Sequence, residues 1–538
     1  LPANGVFTND GLFPDGPMNK RAFFARLLAG AILIFAFGLS VYRARVQPIA
    51  HDEALSYQTF LDSGVSHVLI YTPANHILFM LLAKPLVWGL GVTEITLRIP
   101  SLLGAAAYLI AIYLLCAFLF GDGLMLPFSV ALLSMNPQIL EFLPAARGYS
   151  LGLACVAAAM YLFARLVDRG EFQPDDSSWR WGCAAASVLL ALSVAANFTN
   201  IVPAACLTLS FSIVALGGVS KFKLPADRRL REFSGYMILP GTFVGLAVLW
   251  PFLIQVRFAH ATTNMGGAAD SLQDIFNASF LYKWTDDFHS SLGAALPAPG
   301  SWQATISDLG VYLLLPLLFC FVLLGLALVS RADSSDKTKH NAECRVFAGA
   351  TVACVALIFL LHTVANINYP FSRYCLFLIP LFTVSALLTG RELYLRFPHA
   401  ALRAAGWLIL AIVLYDYGLS INTAYFRYNA YDAISRELFQ TIARDAQPRG
   451  LTNVRVGGTW WYEPEINFYR RRYKANWLLP YDIKDRSYFW ETPNSFVPAD
   501  YDYFVFLPAS DPGLSGPRAR VLFHDDKTQV TIIALARK

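Results

Sequence analysis

The chain has 538 residues, 56% of them hydrophobic and only 15% charged, with a mean hydropathy of +0.47. A soluble domain of this length could not hide so much apolar surface, so the composition excludes an ordinary globular protein and points to one solvated partly by lipid. The net charge is a modest +5, and the basic residues gather at the ends of apolar runs, a pattern that reads as membrane topology and excludes a nucleic-acid-binding surface.

Residues 1–17 are polar and rich in Gly, Pro and Asn, and Met18 is followed by Asn19, Lys20 and Arg21. The segment 1–22 is expected to be a disordered cytoplasmic tail. The apolar run from Phe23 to Tyr42 lacks a small-residue cleavage site and ends at Arg43 and Arg45, so it is expected to stay as a first membrane helix. A bilayer core about 30 Å thick takes roughly 20 apolar residues per helix. On that measure, spans are predicted at 23–42, 98–119, 124–142, 148–167, 181–197, 201–218, 233–254, 306–330, 346–366, 374–390 and 405–421, eleven in all. With a cytoplasmic N-terminus, the inner segments collect eighteen Lys and Arg residues and the outer segments before residue 422 hold eight, which favours that orientation. An odd number of crossings then leaves the remainder outside. The eight cysteines, at 116, 155, 183, 206, 320, 344, 354 and 375, lie in or beside apolar runs and not at CxxC spacing, so they read as small buried hydrophobes, not as a disulfide or zinc framework.

The outer loop 43–97 carries two helix-like stretches. His51–Ser63 has Ala54, Leu55, Tyr57, Gln58 and Leu61 at helical spacing and ends at Gly64. Residues 73–91 are apolar but contain Asn75, His76, Lys84 and Pro85; counting them as a crossing would put Arg165, Arg169 and the 221–231 basic cluster outside, so they are expected to lie at the interface. A second outer loop, 255–305, carries His260, Asp270, Asp274, Lys283, Trp284, Asp286, Asp287 and His289. It is too long for a plain connector and reads either as a lid over acceptor or lipid, or as a surface loop without function. After residue 422 charge rises, and β-rich runs at Val454–Gly457, Tyr503–Leu507, Ala519–Phe523 and Val530–Leu535 flank a helical stretch at Glu463–Tyr473. The expected fold is therefore mainly α: a polytopic bundle of about eleven helices over 23–421, with interfacial helices and a small extracytoplasmic α/β domain over 422–538. Trp460, Trp461 and Tyr462, with Asn467, Phe468 and Tyr469, suit either stacking on sugar rings or an aromatic core.

Chemistry concentrates at the outer ends of the spans. His51, Asp52 and Glu53 follow the first helix, and an acid pair there could simply complement a helix N-terminus. Asn75 and His76 open the interfacial helix, Arg98 opens the second span, Arg147 (in Ala146-Arg-Gly-Tyr-Ser150) the fourth, and Arg373 with Tyr374 the tenth. Charges at that depth are costly unless they pair or bind a ligand, although any single arginine can also snorkel to lipid headgroups. Two acids and several cations on one side suit a site in which arginine holds a phosphate while a carboxylate takes a proton.

The order of these features resembles the GT-C superfamily of membrane glycosyltransferases, in particular the bacterial branch related to protein O-mannosyltransferases and to the lipid A aminoarabinose and galacturonic acid transferases. The likeness rests on Asp52-Glu53 after the first helix, the amphipathic helix, the Asn75-His76 start of an interfacial helix closing in Gly, and Leu97-Arg-Ile-Pro-Ser101 opening a span. It covers 23 to about 170, with Ala146-Arg-Gly-Tyr-Ser150 and Pro370-Phe-Ser-Arg-Tyr374 as further supports. It implies a polyprenyl-phosphate sugar as donor, a glycan, lipid or protein hydroxyl as acceptor, membrane lipid as surroundings and no nucleic acid. It also implies a bacterial inner membrane location with the C-terminal domain periplasmic. By the resemblance, Asp52 is the general base and Glu53 helps position the acceptor. Arg147 and Arg373 hold the leaving phosphate, with His76 and Asn75 as additional donors, while His51, Tyr57, Arg98, Tyr149 and Tyr374 line the site. The lipid A enzymes carry a lysine where Asn75 stands, which argues against aminoarabinose. No cofactor is demanded, and a divalent metal near Asp52 is allowed. A carrier of lipid-linked sugars and a non-catalytic scaffold are the competing readings. A transporter would favour an internal repeat, and none is seen here.

Overall fold

The computed structural model describes residues 20–62, 64–69, 75–170, 172–173, 175–217, 226–258, 315–330, 341–367, 369–370, 372–419, 421, 423, 427–481, 501–507 and 519–535. The tail 1–17 and the part of the second outer loop that carries His260, Asp270, Asp274, Lys283, Trp284, Asp286, Asp287 and His289 lie outside the described residues.

In chain order the helices are α1 (Lys20–Val46), α2 (His51–Ser56), α3 (Ile77–Leu90), α4 (Glu94–Phe120), α5 (Met125–Ser134), α6 (Pro137–Phe142), α7 (Tyr149–Asp168), α8 (Ser177–Ala196), α9 (Ile201–Ala215) and α10 (Ala226–Phe258). They continue with α11 (Leu315–Ser330), α12 (Asn341–Ala365), α13 (Leu378–Arg396), α14 (Ala400–Leu419), α15 (Ser435–Ala446) and α16 (Glu463–Arg472). Among the described residues, eight helices are long and apolar enough to cross a bilayer, namely α1, α4, α7, α8, α9 with its leading turn, α10, α12 and α13. Shorter apolar helices include α3, α5, α11 and much of α14. Ile34, Phe35, Phe243, Leu408 and Ile409 stand exposed on these helices, as lipid-facing residues do. The chain is an integral membrane protein.

One expected span is broken. Instead of a single helix over 124–142, α5 stops at Ser134 and α6 starts at Pro137, because the Asn136 side chain accepts from the backbone N–H groups of Gln138 and Ile139 and caps the second piece. Asparagine as cap followed by proline in the first turn is the ordinary way to begin a helix, so the signal was present in Asn136-Pro137.

The bundle has two distinct ends. At one, Arg26 pairs with Asp122 at 2.6 Å, joining the start of α1 to the α4–α5 turn. At the other, Arg43 Nη1 donates to the Leu140 carbonyl at 3.0 Å, and the C-terminus of α1 meets the N-termini of α4 and α7. The candidate site residues Asp52, Arg147 and Arg373 gather at this second end.

The C-terminal region forms a four-stranded sheet in the order β1-β2-β4-β3, with β1 (Val456–Gly458), β2 (Tyr503–Phe506), β3 (Ala519–His524) and β4 (Thr531–Leu535). β1 and β2 run parallel; β2, β4 and β3 pair antiparallel, with an irregularity between Val521 and Phe523. This α/β unit shares a core with the first outer loop: Ile49, Ala54, Tyr57, Phe60, Phe79 and Met80 cluster with Leu438, Val456, Ile466, Phe468 and Val505. Buried Glu94, at the start of α4, ties the two together by accepting from Arg436 at 2.8 Å and pairing with Arg472.

Candidate active site

Consecutive residues on a helix point about 100° apart, and Asp52 and Glu53 show the consequence. Glu53 is 2% exposed and turns inward. Its Oε1 accepts from Arg98 Nε at 3.0 Å and from the Ala146 N–H at 2.5 Å, while Oε2 accepts from Arg98 Nη2 at 2.5 Å and from the Ala50 N–H at 3.0 Å. Arg98, with no exposure, also donates to the carbonyls of Ala44, Gln47 and Pro48, which uses every N–H of its guanidinium. The expectation that Glu53 positions an acceptor and Arg98 lines the site gives way. Both are saturated, and together they clamp the α1–α2 linker, the start of α4 and the loop before Arg147. Glu53→Ala would leave Arg98 charged and buried without its acid, a loss of about 3–5 kcal/mol. A large drop in the detergent-solubilised unfolding midpoint is the expected result.

Asp52 faces the other way and keeps a quarter of its side chain exposed. Its Oδ2 lies 2.5 Å from Arg373 Nη1 and 3.2 Å from Arg147 Nη1. Burial alone would raise the Asp52 carboxyl, but Arg373, then Arg147, overcome it and hold it well below the usual carboxylate range. Arg147 comes from the short loop before α7, whose carbonyl at Arg147 accepts from Ser101 Oγ at 3.0 Å. Arg373 comes from a tight turn, Ser372–Cys375, before α13, braced by Cys375 Sγ donating to the Pro370 carbonyl at 2.9 Å. Thus three segments far apart in sequence bring one carboxylate and two guanidinium groups to one point.

His76 and Tyr149 stand beside this cluster. The His76 ring lies 5.0 Å from the Tyr149 ring, and Arg147 lies over Tyr149 at 5.7 Å. Gly148 is required here, since a Cβ on it would collide with the Ala196 carbonyl and come within 3.1 Å of His76 Cβ. Burial, then Arg147, pushes the His76 imidazole well below its usual pKa, so it is neutral. Its Nδ1 lies 2.8 Å from the Ala196 carbonyl and must donate to it, which leaves Nε2 an acceptor. In this arrangement Nε2 has no hydrogen to give to a phosphate oxygen, which differs from the donor role expected of His76. Asn75 is likewise engaged elsewhere, its amide donating to the Val68 carbonyl at 2.9 Å.

The remaining candidates divide. Tyr374 stays near the cluster, with Arg373 over its ring at 5.4 Å. Tyr57 instead donates to Asp62 and packs edge-on against Phe468 in the core shared with the C-terminal domain. His51 also faces that domain. Its N–H donates to Asp432 Oδ2 at 2.5 Å, and its Nδ1 lies 2.6 Å from the Trp461 carbonyl and 3.6 Å from Glu465 Oε2. Burial would lower the His51 imidazole, but Glu465 outweighs it and raises it above its usual value. Asp432 and Glu465 were not singled out from sequence, and nothing local marks them. Of the aromatic runs, Tyr462, Phe468 and Tyr469 are buried core, whereas Trp460 and Trp461 stack on each other at 4.3 Å and enclose His51.

Among the described residues no group of three or more His, Cys, Asp or Glu side chains could hold a metal ion. Asp52 already faces two guanidinium charges, so among the described residues nothing completes a divalent-cation site there.

Comparison with family models and with curated proteins returns no match. Among solved structures, the chain is similar to the archaeal oligosaccharyltransferase AglB from Archaeoglobus fulgidus in complex with an inhibitory peptide and a dolichol-phosphate, at 11% identity and a TM-score of 0.44, over 90% of this chain and 70% of that one. It is also similar to ArnT from Cupriavidus metallidurans bound to undecaprenyl phosphate, at 16% identity and a TM-score of 0.42, over 95% of this chain and 97% of that one. The apo form of ArnT gives 13% identity and a TM-score of 0.43, over 95% and 98%.

Proposed function

We propose that this chain is a GT-C glycosyltransferase that moves a sugar from a polyprenyl-phosphate donor to an acceptor hydroxyl on the outer face of the membrane. The observation that carries the reading is the carboxylate of Asp52 set between Arg373 and Arg147, at 2.5 and 3.2 Å, at one mouth of the bundle. Arginine pairs are suited to phosphate because each presents a planar fork of donors. A carboxylate within reach of the same point is suited to take a proton from an attacking hydroxyl.

The donor phosphate competes with Asp52 for the two arginines. While paired, Asp52 is a poor base, because its cationic neighbours stabilise the ionised form. Once phosphate oxygens occupy Arg147 and Arg373, those charges are shared and the carboxyl pKa rises toward its usual value. The acceptor oxygen then bonds to the anomeric carbon as the bond from that carbon to the phosphate oxygen breaks. The hydroxyl proton passes to Asp52, and the polyprenyl phosphate leaves with its charge held by the arginines. Attack opposite the leaving phosphate inverts the anomeric carbon, and no covalent sugar intermediate is required.

Support for the outer face comes from charge. Lys20, Arg21 and Arg26 stand at the start of α1, and Arg165 and Arg169 at the end of α7, all at the bundle end opposite Asp52. The positive-inside rule makes that end cytoplasmic.

The test is to offer the purified chain a panel of radiolabelled undecaprenyl-phosphate sugars with a membrane extract as acceptor source. Transfer of one label is the expected result. Use of none would bring the carrier and scaffold readings forward.

A further inference from the structure

Among the described residues, two buried polar atoms beside the arginine pair have no hydrogen-bond partner. They are His76 Nε2 and the Tyr149 hydroxyl, on residues 4% and 2% exposed. Polar atoms this deeply buried are nearly always hydrogen-bonded, so a pair left open on adjoining rings beside a candidate site points to a ligand. Their chemistry is specific. Because Nδ1 gives its hydrogen to the Ala196 carbonyl at 2.8 Å, Nε2 offers a lone pair. The tyrosine hydroxyl can give or accept. The ring cannot easily turn to reverse these roles, since the Ala196 carbonyl, Gly148 and the Tyr149 ring surround it.

The phosphodiester of a lipid-linked sugar cannot satisfy this pair, because it carries no hydrogen for Nε2. A hydroxyl can satisfy both atoms, donating to the imidazole and accepting from the phenol. The Arg147 guanidinium lies 5.7 Å from the Tyr149 ring and shares Asp52 with Arg373, so the two arginines can take the anionic part of the same ligand. In the free protein burial, then the Arg147 charge, lower the imidazole pKa, which favours Nε2 as an acceptor.

We infer that His76 Nε2 and the Tyr149 hydroxyl form a hydroxyl-reading subsite next to the phosphate site, which selects a lipid-linked sugar by one ring hydroxyl. This rests on the proposed donor chemistry and deepens it. A hydroxyl of the acceptor would present the same chemistry, and the two sources are separated by measurement. Sites built to bond a hydroxyl discriminate strongly against ligands that lack it, because the protein atoms are then left unpaired.

The test uses full-length wild type and the variants Tyr149→Phe, His76→Leu and His76→Gln in detergent. Their affinities are measured for plain undecaprenyl phosphate and for the undecaprenyl-phosphate sugar that wild type accepts from the panel. Tyr149→Phe removes a single oxygen and is the variant expected to fold without question. Tyr149→Phe and His76→Leu are each expected to weaken the sugar-bearing ligand by about tenfold or more and to leave undecaprenyl phosphate unchanged, the range expected for one buried hydrogen bond. His76→Gln, whose side-chain oxygen can accept, is expected to recover part of the loss. Unchanged donor affinity with a raised acceptor KM would assign the hydroxyl to the acceptor and uphold the subsite. Equal weakening of both lipids would overturn the inference by placing His76 on the phosphate, and so would no change in either donor affinity or acceptor KM. If wild type binds undecaprenyl phosphate but no sugar-bearing form of it, the proposed transferase function fails, and the subsite with it.

Discussion

Asp52→Asn is expected to abolish sugar transfer and at the same time to tighten the hold on undecaprenyl phosphate. Loss of the base accounts for the first effect, on the order of 10²–10⁴ in rate for a positioned proton acceptor. The second follows from geometry. In the free protein, Asp52 is the acid on both Arg373, at 2.5 Å, and Arg147, at 3.2 Å, so it occupies the donors that a phosphate needs and repels the phosphate charge. Asparagine keeps the shape, removes the repulsion, and holds the arginines more weakly because its oxygen is neutral. Rate and affinity are read from the same preparation, by label transfer and by equilibrium binding of the lipid. If Asp52 were only a solvated acid at a helix start, neither quantity would move far. A drop in lipid affinity would mean that Asp52 supports the phosphate site instead of competing for it.

Arg373→Ala is expected to cost about 10²–10³ in turnover, the range for removing one donor that holds developing negative charge. Lipid-phosphate affinity should fall with it. Arg373→Lys should recover only part, because an ammonium keeps the charge but not the planar fork. The variant also frees Asp52 from its nearest cation, so the carboxyl pKa should rise toward the ordinary range and the acid limb of the residual activity should move to higher pH. The direction follows from linkage: a group held ionised by a cation is protonated more easily when the cation is removed. An arginine that merely snorkels to headgroups would show none of these effects, and wild-type turnover in Arg373→Ala would remove Arg373 from the site.

Hydropathy made most of the bundle legible, because the bilayer demands long apolar helices and little else does. α1, α4, α7, α8 and α12 each fall within several residues of the runs read from sequence. The broken span at Asn136-Pro137 was missed because its average hydropathy hid a cap and a proline. In the C-terminal domain, the strands at 456–458, 503–506, 519–524 and 531–535 match the β-rich runs closely, but their order and the core shared with 49–80 depend on long-range packing that no local pattern encodes.

The site was legible as a set of residue types and less so as a set of roles. Asp52, Arg147 and Arg373 stood out because charge at a span end needs a reason. Glu53 and Arg98 stood out for the same reason and turned out to satisfy each other. Only the helix rotation separates the acid that faces Arg147 and Arg373 from the acid that faces the core, and a sequence does not show which is which. The resemblance implies His76 as an additional phosphate donor, and the Ala196 carbonyl, 120 residues away, takes its Nδ1 hydrogen instead.

The most direct measurement is a cryo-EM structure of the full chain with undecaprenyl phosphate bound. The account requires the phosphate oxygens to sit at hydrogen-bond distance, about 2.7–2.9 Å, from the guanidinium groups of both Arg147 and Arg373. Asp52 should have parted from at least one of them. Phosphate held at the Arg26–Asp122 end of the bundle, or at the usual mouth with both Asp52 pairs intact, would contradict it.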